Sequence, residues 1–417
     1  METGALTKVC ILCTIVDGPR VAVIGGSLGG LIAGLVLRDA GCDVTVYERS
    51  RSRLEGRGAG IVLHPETVRY LEANRLLDLA SVSSSARVLR YFTRDGSVLL
   101  DQPVHYLFTS YATLYGALLG FMDRERYRLG SELVVLNRND DRVVMRFADG
   151  GAAESELLVG ADGIHSTVRR LLFPEVRPRF AGYVGWRGTL DAGALPPPSR
   201  ELVPYLAYFV GGHSHVLSYP IPSADGARGT SMNWVWYRNV TEGELDRLMT
   251  DRAGVRHDLS LPPGAAPDHD VEALRAAAVA ELPPQLAALV QASPDPFVQV
   301  IVDLEVPWMV AGRACLVGDA AFALRPHIAA GTAKAAADAH ALGEAIAGAD
   351  GDVPAALASW QPRQLALGRA TVARARDLGN RVQFHGTYVP GDRSVMFGLR
   401  EAGDSSFGGT ASAGRTG

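Results

Sequence analysis

Three carboxylates in this 417-residue sequence close short apolar runs of the kind that form strands: Glu48 after Val44–Tyr47, Asp162 after Leu157–Val159, and Asp319 after Cys315–Val317. A carboxylate at a strand end can accept from several hydroxyls at once, which suits it to gripping a sugar or a polyol. Shortly beyond Asp319 comes a turn at Arg325-Pro326, and then Ala330-Gly331-Thr332-Ala333 opens an Ala-dense helix. Side chains that small leave backbone N–H groups bare and point the positive end of a helix dipole at an electron-rich ligand. A hydroxyl-gripping acid beside such a helix start predicts a redox cofactor lodged between them.

The elements that must position these groups follow from the local patterns. Val21–Ile24 is a short strand, and Gly25-Gly26-Ser27-Leu28-Gly29-Gly30 turns it into a helix reaching about Ala40. A second strand then ends at Glu48-Arg49, with Glu48 lying 23 residues after Gly25. Strand, glycine turn, helix, second strand and acid form a dinucleotide-binding unit, with the acid about where one meets an adenosine ribose. Ser27 replaces the middle glycine of the usual fingerprint, yet its N–H remains available and its hydroxyl adds a donor. Gly56-Arg57-Gly58-Ala59-Gly60 would let backbone approach something flat, while Arg57 either pairs with a phosphate or faces water. Residues 64–80 read as a helix, and so does Tyr111–Gly120. Gly160-Ala161-Asp162-Gly163-Ile164-His165-Ser166-Thr167 repeats the strand-to-helix turn, with Ser166 or Thr167 as a cap.

From Phe180 to about Val240 the periodicity changes to two. Tyr205, Ala207 and Phe209 share one face, as do His213, His215, Leu217 and Tyr219, and then Trp234, Trp236 and Arg238. This predicts a mainly antiparallel sheet with an aromatic side, inserted into an α/β framework. The expected division is a loose extension over 1–19; a discontinuous cofactor domain over 20–90, 105–175 and 296–378; a sheet domain over 91–104 and 176–295; and a C-terminal segment from 379, disordered from about 404.

Net charge is −4 and arginines are scattered, which argues against nucleic acid or an anionic membrane as partner. The apolar run Val9–Val16 is too short to span a bilayer and lacks a cleavage signature, so a cytoplasmic small-molecule protein is expected. Cys10 and Cys13 form a lone C-x-x-C without a second pair, and no metal site is predicted.

The combination of GGSLGG with Glu48, GADGIHSTVR, and LVGDAAFALRPHIAAGTA resembles the single-component FAD-dependent aromatic hydroxylases typified by the para-hydroxybenzoate enzyme, over roughly residues 21–378. Ser27, Thr109-Ser110-Tyr111, the run Asp303–Pro307 and the segment Arg325–Ala335 are most similar to the branch that hydroxylates dihydroxypyridines. An arginine that the wider class carries near Ser110 is missing. The resemblance implies a Rossmann-type FAD domain with an inserted sheet that binds substrate, and NADH or NADPH as a transient reductant without a domain of its own. It implies O2 as co-substrate, a small aromatic or N-heteroaromatic ring hydroxylated through a flavin C4a-hydroperoxide, and a fold class in which dimers are common. Carried over residue by residue, Gly25, Gly26, Ser27, Leu28 and Gly30 would hold the pyrophosphate, with Arg49, Arg57 and Gly60 nearby. Glu48 would take the adenosine ribose, Asp319 the ribityl chain, and Asp162 a place near the pyrophosphate. Pro326 would lie against the isoalloxazine, with Gly331, Thr332 and Ala333 at its N1/C2 edge.

Hydroxylation also asks for a group that draws the ring O–H proton. His327, His213, His215, Tyr219 and Tyr208 are the candidates, and His327 is nearest the flavin because it follows Pro326. Trp186, Trp234 and Trp236 read as walls or core. Rival readings are a natural-product tailoring hydroxylase acting on a larger phenol, a flavoprotein oxidase or reductase, a non-enzymic FAD-binding protein, and a halogenase. For the last, Trp234-Val235-Trp236 supplies half of a W-x-W-x-I-P signature, but Tyr237-Arg238-Asn239 follows.

Overall fold

The structure is a computed structural model and describes residues 18–54, 60–74, 78–223 and 229–407. A six-stranded sheet carries the strand ends singled out above. Its order is Val310–Ala311, Ala314–Leu316, Leu157–Gly160, Arg20–Ile24, Asp43–Tyr47, Tyr127–Arg128, parallel throughout except for the hairpin that joins the first two. Because the strands are parallel, Glu48, Asp162 and Asp319 all emerge at one edge, where the C-terminal ends of such sheets collect ligands. Leu28–Asp39 crosses from the first strand to the second and packs on Gly331–Gly348, whose Ala-rich face permits the close approach. Val21, Val23, Leu31, Ile32, Leu158, Val159, Leu316 and Ala336 form the common core.

The second sheet has nine strands. Their order is Phe322–Ala323, Phe297–Glu305, Arg179–Asp191, Thr230–Asn239, His215–Pro222, Leu206–Val210, Ser84–Phe92, Val98–Ser110, Gly60–Leu63. All pairs are antiparallel except Leu206–Val210 with Ser84–Phe92. Residues 60–63, 84–92 and 98–110 therefore extend this sheet, whereas the sequence reading gave it only 91–104 from this part of the chain. Short alternating runs separated by a helix did not show which sheet they join.

Both faces of the central strands are buried and both carry aromatic residues, where the sequence pattern pointed to a single aromatic side. Val184, Trp186, Val216, Trp234, Trp236 and Val298 pack against the helices Asp268–Glu281 and Pro284–Ala292. Tyr183, Leu217, Tyr219, Val235, Tyr237 and Ile301 occupy the opposite face. Trp234 Nε1 donates to Ser293 Oγ at 2.7 Å and Trp236 Nε1 to Ser214 Oγ at 2.7 Å, so the indoles are satisfied core residues. A third, three-stranded antiparallel sheet spans Leu133–Arg138, Val143–Phe147 and Ala152–Ser155.

The C-terminal segment also departs from expectation. A 28-residue helix, Val353–Asn380, runs into a π-helical turn, Arg381–His385, and the chain then folds back over the large sheet. Gly398 N–H donates to Ile328 O at 3.0 Å, and Phe397 packs on Tyr106 with ring centroids 5.1 Å apart. Asp404, placed by the sequence reading at the start of a disordered tail, accepts from Leu399 N–H at 2.6 Å and Arg400 N–H at 2.7 Å. It also lies 3.1 Å from His64 Nε2. Residues 404–407 are thus part of the fold, and the Gly/Ser/Ala composition conceals those anchors. The extension over 1–17 and the tail beyond 407 lie outside the described residues, as does Arg57.

Candidate functional site

Two cavities lie at the strand ends. The first, of about 260 Å³, sits over the first glycine turn and is lined by Gly25, Ser27, Glu48, Arg49, Asp162 and Thr167, among others. Gly25 adopts φ +105°, and a Cβ there would stand 2.5 Å from Ala161 O, so only glycine lets the first turn back onto the neighbouring strand end. Gly30 is equally constrained, because its Cβ would meet Gly25 O. Leu28 points into the core, while its turn of helix presents the backbone. Glu48 is buried and accepts from Gly26 N–H at 2.8 Å and Ser50 N–H at 2.8 Å, which fixes its carboxylate at the cavity floor. Arg49 stands exposed at the rim.

Asp162 is committed locally. Its carboxylate accepts from Thr167 N–H at 2.7 Å, Val168 N–H at 3.1 Å and Ser166 Oγ–H at 2.5 Å, while Ser166 itself caps Thr167–Leu172. Burial raises its pKa and these hydrogen bonds pull it down. Tyr111 reaches the same turn, with its hydroxyl 2.8 Å from Ser27 Oγ, next to where the wider class has its arginine.

The second cavity, about 280 Å³, lies between the start of Gly331–Gly348 and the inner face of the large sheet. Asp319, Pro326, His327, Ala330, Gly331 and Thr332 form one wall, and Arg187, Tyr208, Leu217, Tyr219, Val235 and Tyr237 the other. Ala333 is buried in the first helical turn. The turn carrying Asp319 is clamped from behind: Gly318 N–H donates to Asp338 Oδ2 at 2.9 Å, and Lys334 Nζ pairs with Asp338 Oδ1 at 2.5 Å inside the core. Asp319 itself has no hydrogen-bond partner among the described residues. Burial pushes its carboxyl up to about 6, against the pull of the nearby Lys334 ammonium. An unpartnered carboxylate, a helix start whose Gly331 is crowded only by Asp319 Oδ1 at 4.0 Å, and a strictly glycine turn at the far cavity together fit an elongated cofactor with a polyol middle.

The residues proposed for proton transfer separate into distinct positions. His327 lines the cavity, with Nε2 2.6 Å from Tyr183 Oη and Nδ1 3.3 Å from His215 Nε2. His215 Nδ1 in turn lies 3.0 Å from Gln383 Nε2, which the π-helical turn delivers. Burial holds His327 well below the usual imidazole value, with the His215 and Arg325 charges acting in the same sense, and burial lowers His215 to about 3. Both rings are therefore neutral near pH 7.

His213 is a correction: it is exposed in the Gly211–Ser214 turn and borders a different cavity, because the strand starts only at His215. Tyr219 is a second correction. Its hydroxyl donates to Gly60 O at 2.9 Å and burial raises its pKa, so it serves as a wall and fastens the sheet edge. Tyr208 is likewise a buried wall whose pKa burial raises far above the phenol range. Gly60 lines the cavity and cannot carry a side chain, since a Cβ would lie 2.7 Å from the Tyr219 ring.

Three polar residues escaped the sequence reading. Tyr183 and Gln383 extend the histidine chain, and Arg187 faces the cavity. Parity along Arg179–Asp191 could have flagged Tyr183 and Arg187, which alternate with Val184 and Trp186. No local pattern signals a π turn. Gly379 supports the chain too, since a Cβ there would stand 2.8 Å from Tyr183 Oη and 2.9 Å from the His327 ring.

Comparison with known proteins adds the chemistry that such a site performs elsewhere. A family model described as FAD binding domain-like matches residues 180–303. The chain is 40% identical to 2,6-dihydroxypyridine 3-monooxygenase of Paenarthrobacter nicotinovorans, covering 93% of this chain and 97% of that protein. It is 31% identical to the 3-amino-4-hydroxybenzoate 2-monooxygenase PtmB3 of Streptomyces platensis, covering 88% and 89%. Among solved structures, 2,6-dihydroxypyridine-3-hydroxylase from Arthrobacter nicotinovorans superposes with a TM-score of 0.88 at 38% identity, covering 93% of this chain and 98% of that one.

Proposed function

The chain belongs to the FAD-dependent aromatic monooxygenases, and from that premise we propose that it hydroxylates a small, electron-rich, hydroxylated N-heteroaromatic ring at the expense of NADH or NADPH and O2. The observation that carries this reading is the cavity whose one wall offers Asp319 and the Gly331–Thr332 helix start, and whose other wall is a dry aromatic sheet with His327 at the junction. A bound FAD would supply the redox chemistry, in which NAD(P)H provides two electrons, one oxygen atom of O2 goes to the ring and the other leaves as water.

The protein's own residues do the rest. Glu48 and the Gly25–Gly30 turn would hold the adenosine end, and Asp319 the ribityl hydroxyls. The N–H groups at Gly331, Thr332 and Ala333 would offer positive potential to a reduced flavin's negative edge, without a side chain that would block the ring. Leu217, Val235, Tyr237 and Ile301 exclude water from the reacting face. His327, neutral before reaction, would take the ring O–H proton by exchanging its Tyr183 or His215 contact for the ring oxygen.

A phenolic substrate is the second reading, favoured by the 31% identity to an aminohydroxybenzoate monooxygenase over most of both chains. The test is NADH and NADPH oxidation by the FAD-loaded enzyme against a panel of hydroxypyridines and phenols, with product mass measured. Stimulation with a gain of one oxygen atom for a hydroxypyridine is expected. Oxidation that no ring stimulates would refute the proposal, and hydroxylation of phenols alone would select the second reading. The described residues contain no helix long and apolar enough to cross a membrane.

A further inference from the structure

Arg187 stands on the inner face of the strand Arg179–Asp191, opposite in parity to the core residues Val184 and Trp186. It lines the cavity together with Val235 and Tyr237, and its charge is felt at the Tyr219 and Tyr237 hydroxyls. Arg90 and Arg238, on other strands of this sheet, hold Asp101 at 2.7 Å and Glu281 at 3.0 Å, and Arg325, just beyond its edge strand, holds Asp303 at 2.7 Å. Arg187 meets no carboxylate and no hydrogen-bond acceptor among the described residues, and its Nε is buried without a partner. A half-buried guanidinium in an aromatic wall is costly unless an anion meets it, and its fork geometry matches a planar oxyanion or a carboxylate.

We propose that Arg187 is the receptor for an anionic substituent of the substrate ring, so that the ring enters as a monoanion. The ionised group rests on Arg187, while a neutral O–H faces His327. This inference rests on the hydroxylase reading above and names the substrate class more closely: a ring bearing two polar substituents, one of them acidic enough to be ionised near neutrality. The apolar stretch between the two polar ends, formed by Val235, Tyr237 and Leu217, matches the flat ring that joins such substituents. The acid that lines the same cavity, Asp319, belongs to the opposite wall and stands under the influence of Lys334. An ionised ring oxygen would also keep the ring rich in electrons, which suits attack on an electrophilic oxygen. A ring carboxylate would be held equally well without that advantage.

The experiment uses the FAD-loaded enzyme and follows flavin absorbance as three probes are added: 2,6-dihydroxypyridine for the ring oxyanion, 6-hydroxynicotinate for the carboxylate, and 2-hydroxy-6-methoxypyridine as the form with one polar group blocked. Wild type should bind at least one of the two anions roughly tenfold or more tighter than the ether. Arg187→Met should weaken that anion by roughly ten- to a hundredfold while leaving the ether within about twofold, and Arg187→Lys should recover part of the loss. Whichever anion is lost identifies the source of the charge. Equal weakening of all three probes, unchanged binding of both anions, or loss of flavin from Arg187→Lys would overturn the assignment, the last by moving Arg187 to the cofactor or the fold. If no ring perturbs the wild-type flavin, the hydroxylase reading itself fails, an outcome separable from a mutant that binds as wild type does.

Discussion

Asp319 should make stability and cofactor binding pull in opposite directions. Burial lifts its carboxyl from the usual 3.8 to about 6, and no described residue hydrogen-bonds it. When ionised it therefore costs the apoprotein on the order of 3 kcal/mol, a ceiling because the carboxylate looks into a cavity that admits solvent. The sign follows from the raised value. The cost is fully present above about pH 6 and disappears as pH falls toward the unfolded value near 4. Ribityl hydroxyls donate to the ionised form, so FAD binding draws Asp319 toward ionisation. Affinity for FAD should be flat above about pH 6 and weaken by up to roughly tenfold for each pH unit below it. Asp319→Asn removes the charge and with it both effects. Stripped of FAD, the variant should be more stable than wild type at about pH 7.5, by up to about 3 kcal/mol in urea unfolding. Its FAD affinity, read from quenching of flavin fluorescence, should be roughly ten- to a hundredfold weaker and independent of pH between about 5 and 8. A wild-type profile with no break near pH 6, or a variant apoprotein less stable than wild type, would refute the reasoning.

His327→Gln should lower kcat by roughly a hundredfold on a ring that enters with its O–H protonated, while leaving flavin content intact. Stopped-flow traces that show an unchanged hydroxylation rate would remove it from proton transfer. Glu48→Ala should weaken FAD retention by roughly ten- to a hundredfold through loss of the ribose contact and of the Gly26 tether, and gel-filtered protein with a full flavin complement would sink that role. Phe397→Ala opens the cavity wall that the C-terminal segment supplies. It should cost about 3 kcal/mol of stability and raise the peroxide released per NAD(P)H oxidised, with tight coupling in the variant as the contrary result.

Much of the cofactor side was legible because its chemistry is written in consecutive residues. A glycine turn needing φ +105° at Gly25, an acid at the next strand end, and a helix start of tiny side chains each leave a local mark. The substrate side is assembled from distant pieces. His327 meets Tyr183 across 144 residues and His215 across 112, and Gln383 arrives through a π turn that no periodicity announces. His213 was misplaced for a related reason. Alternation alone begins the strand at His213, yet the pairing closes at Val210 and His215 and leaves His213 in the turn between them.

The tryptophans, read from the sequence as walls or core, are core. In a sheet with one wet face, the aromatic side would be the natural wall of a substrate cavity, and Trp234 and Trp236 would stand in it. Here both faces are dry, so hydrophobicity cannot say which face holds the ligand. The distinction lies in polar content instead. The face that buries Trp186, Trp234 and Trp236 is closed by helices, and the indole N–H groups of Trp234 and Trp236 are matched by serines. The face that carries Tyr183, Arg187, Tyr219, Tyr237 and His215 buries groups whose hydrogen-bonding capacity is only partly used. Where both sides of a sheet are core, the face that opens on a cavity and carries a guanidinium without a carboxylate marks the ligand. Arg187 is the residue on which that distinction turns.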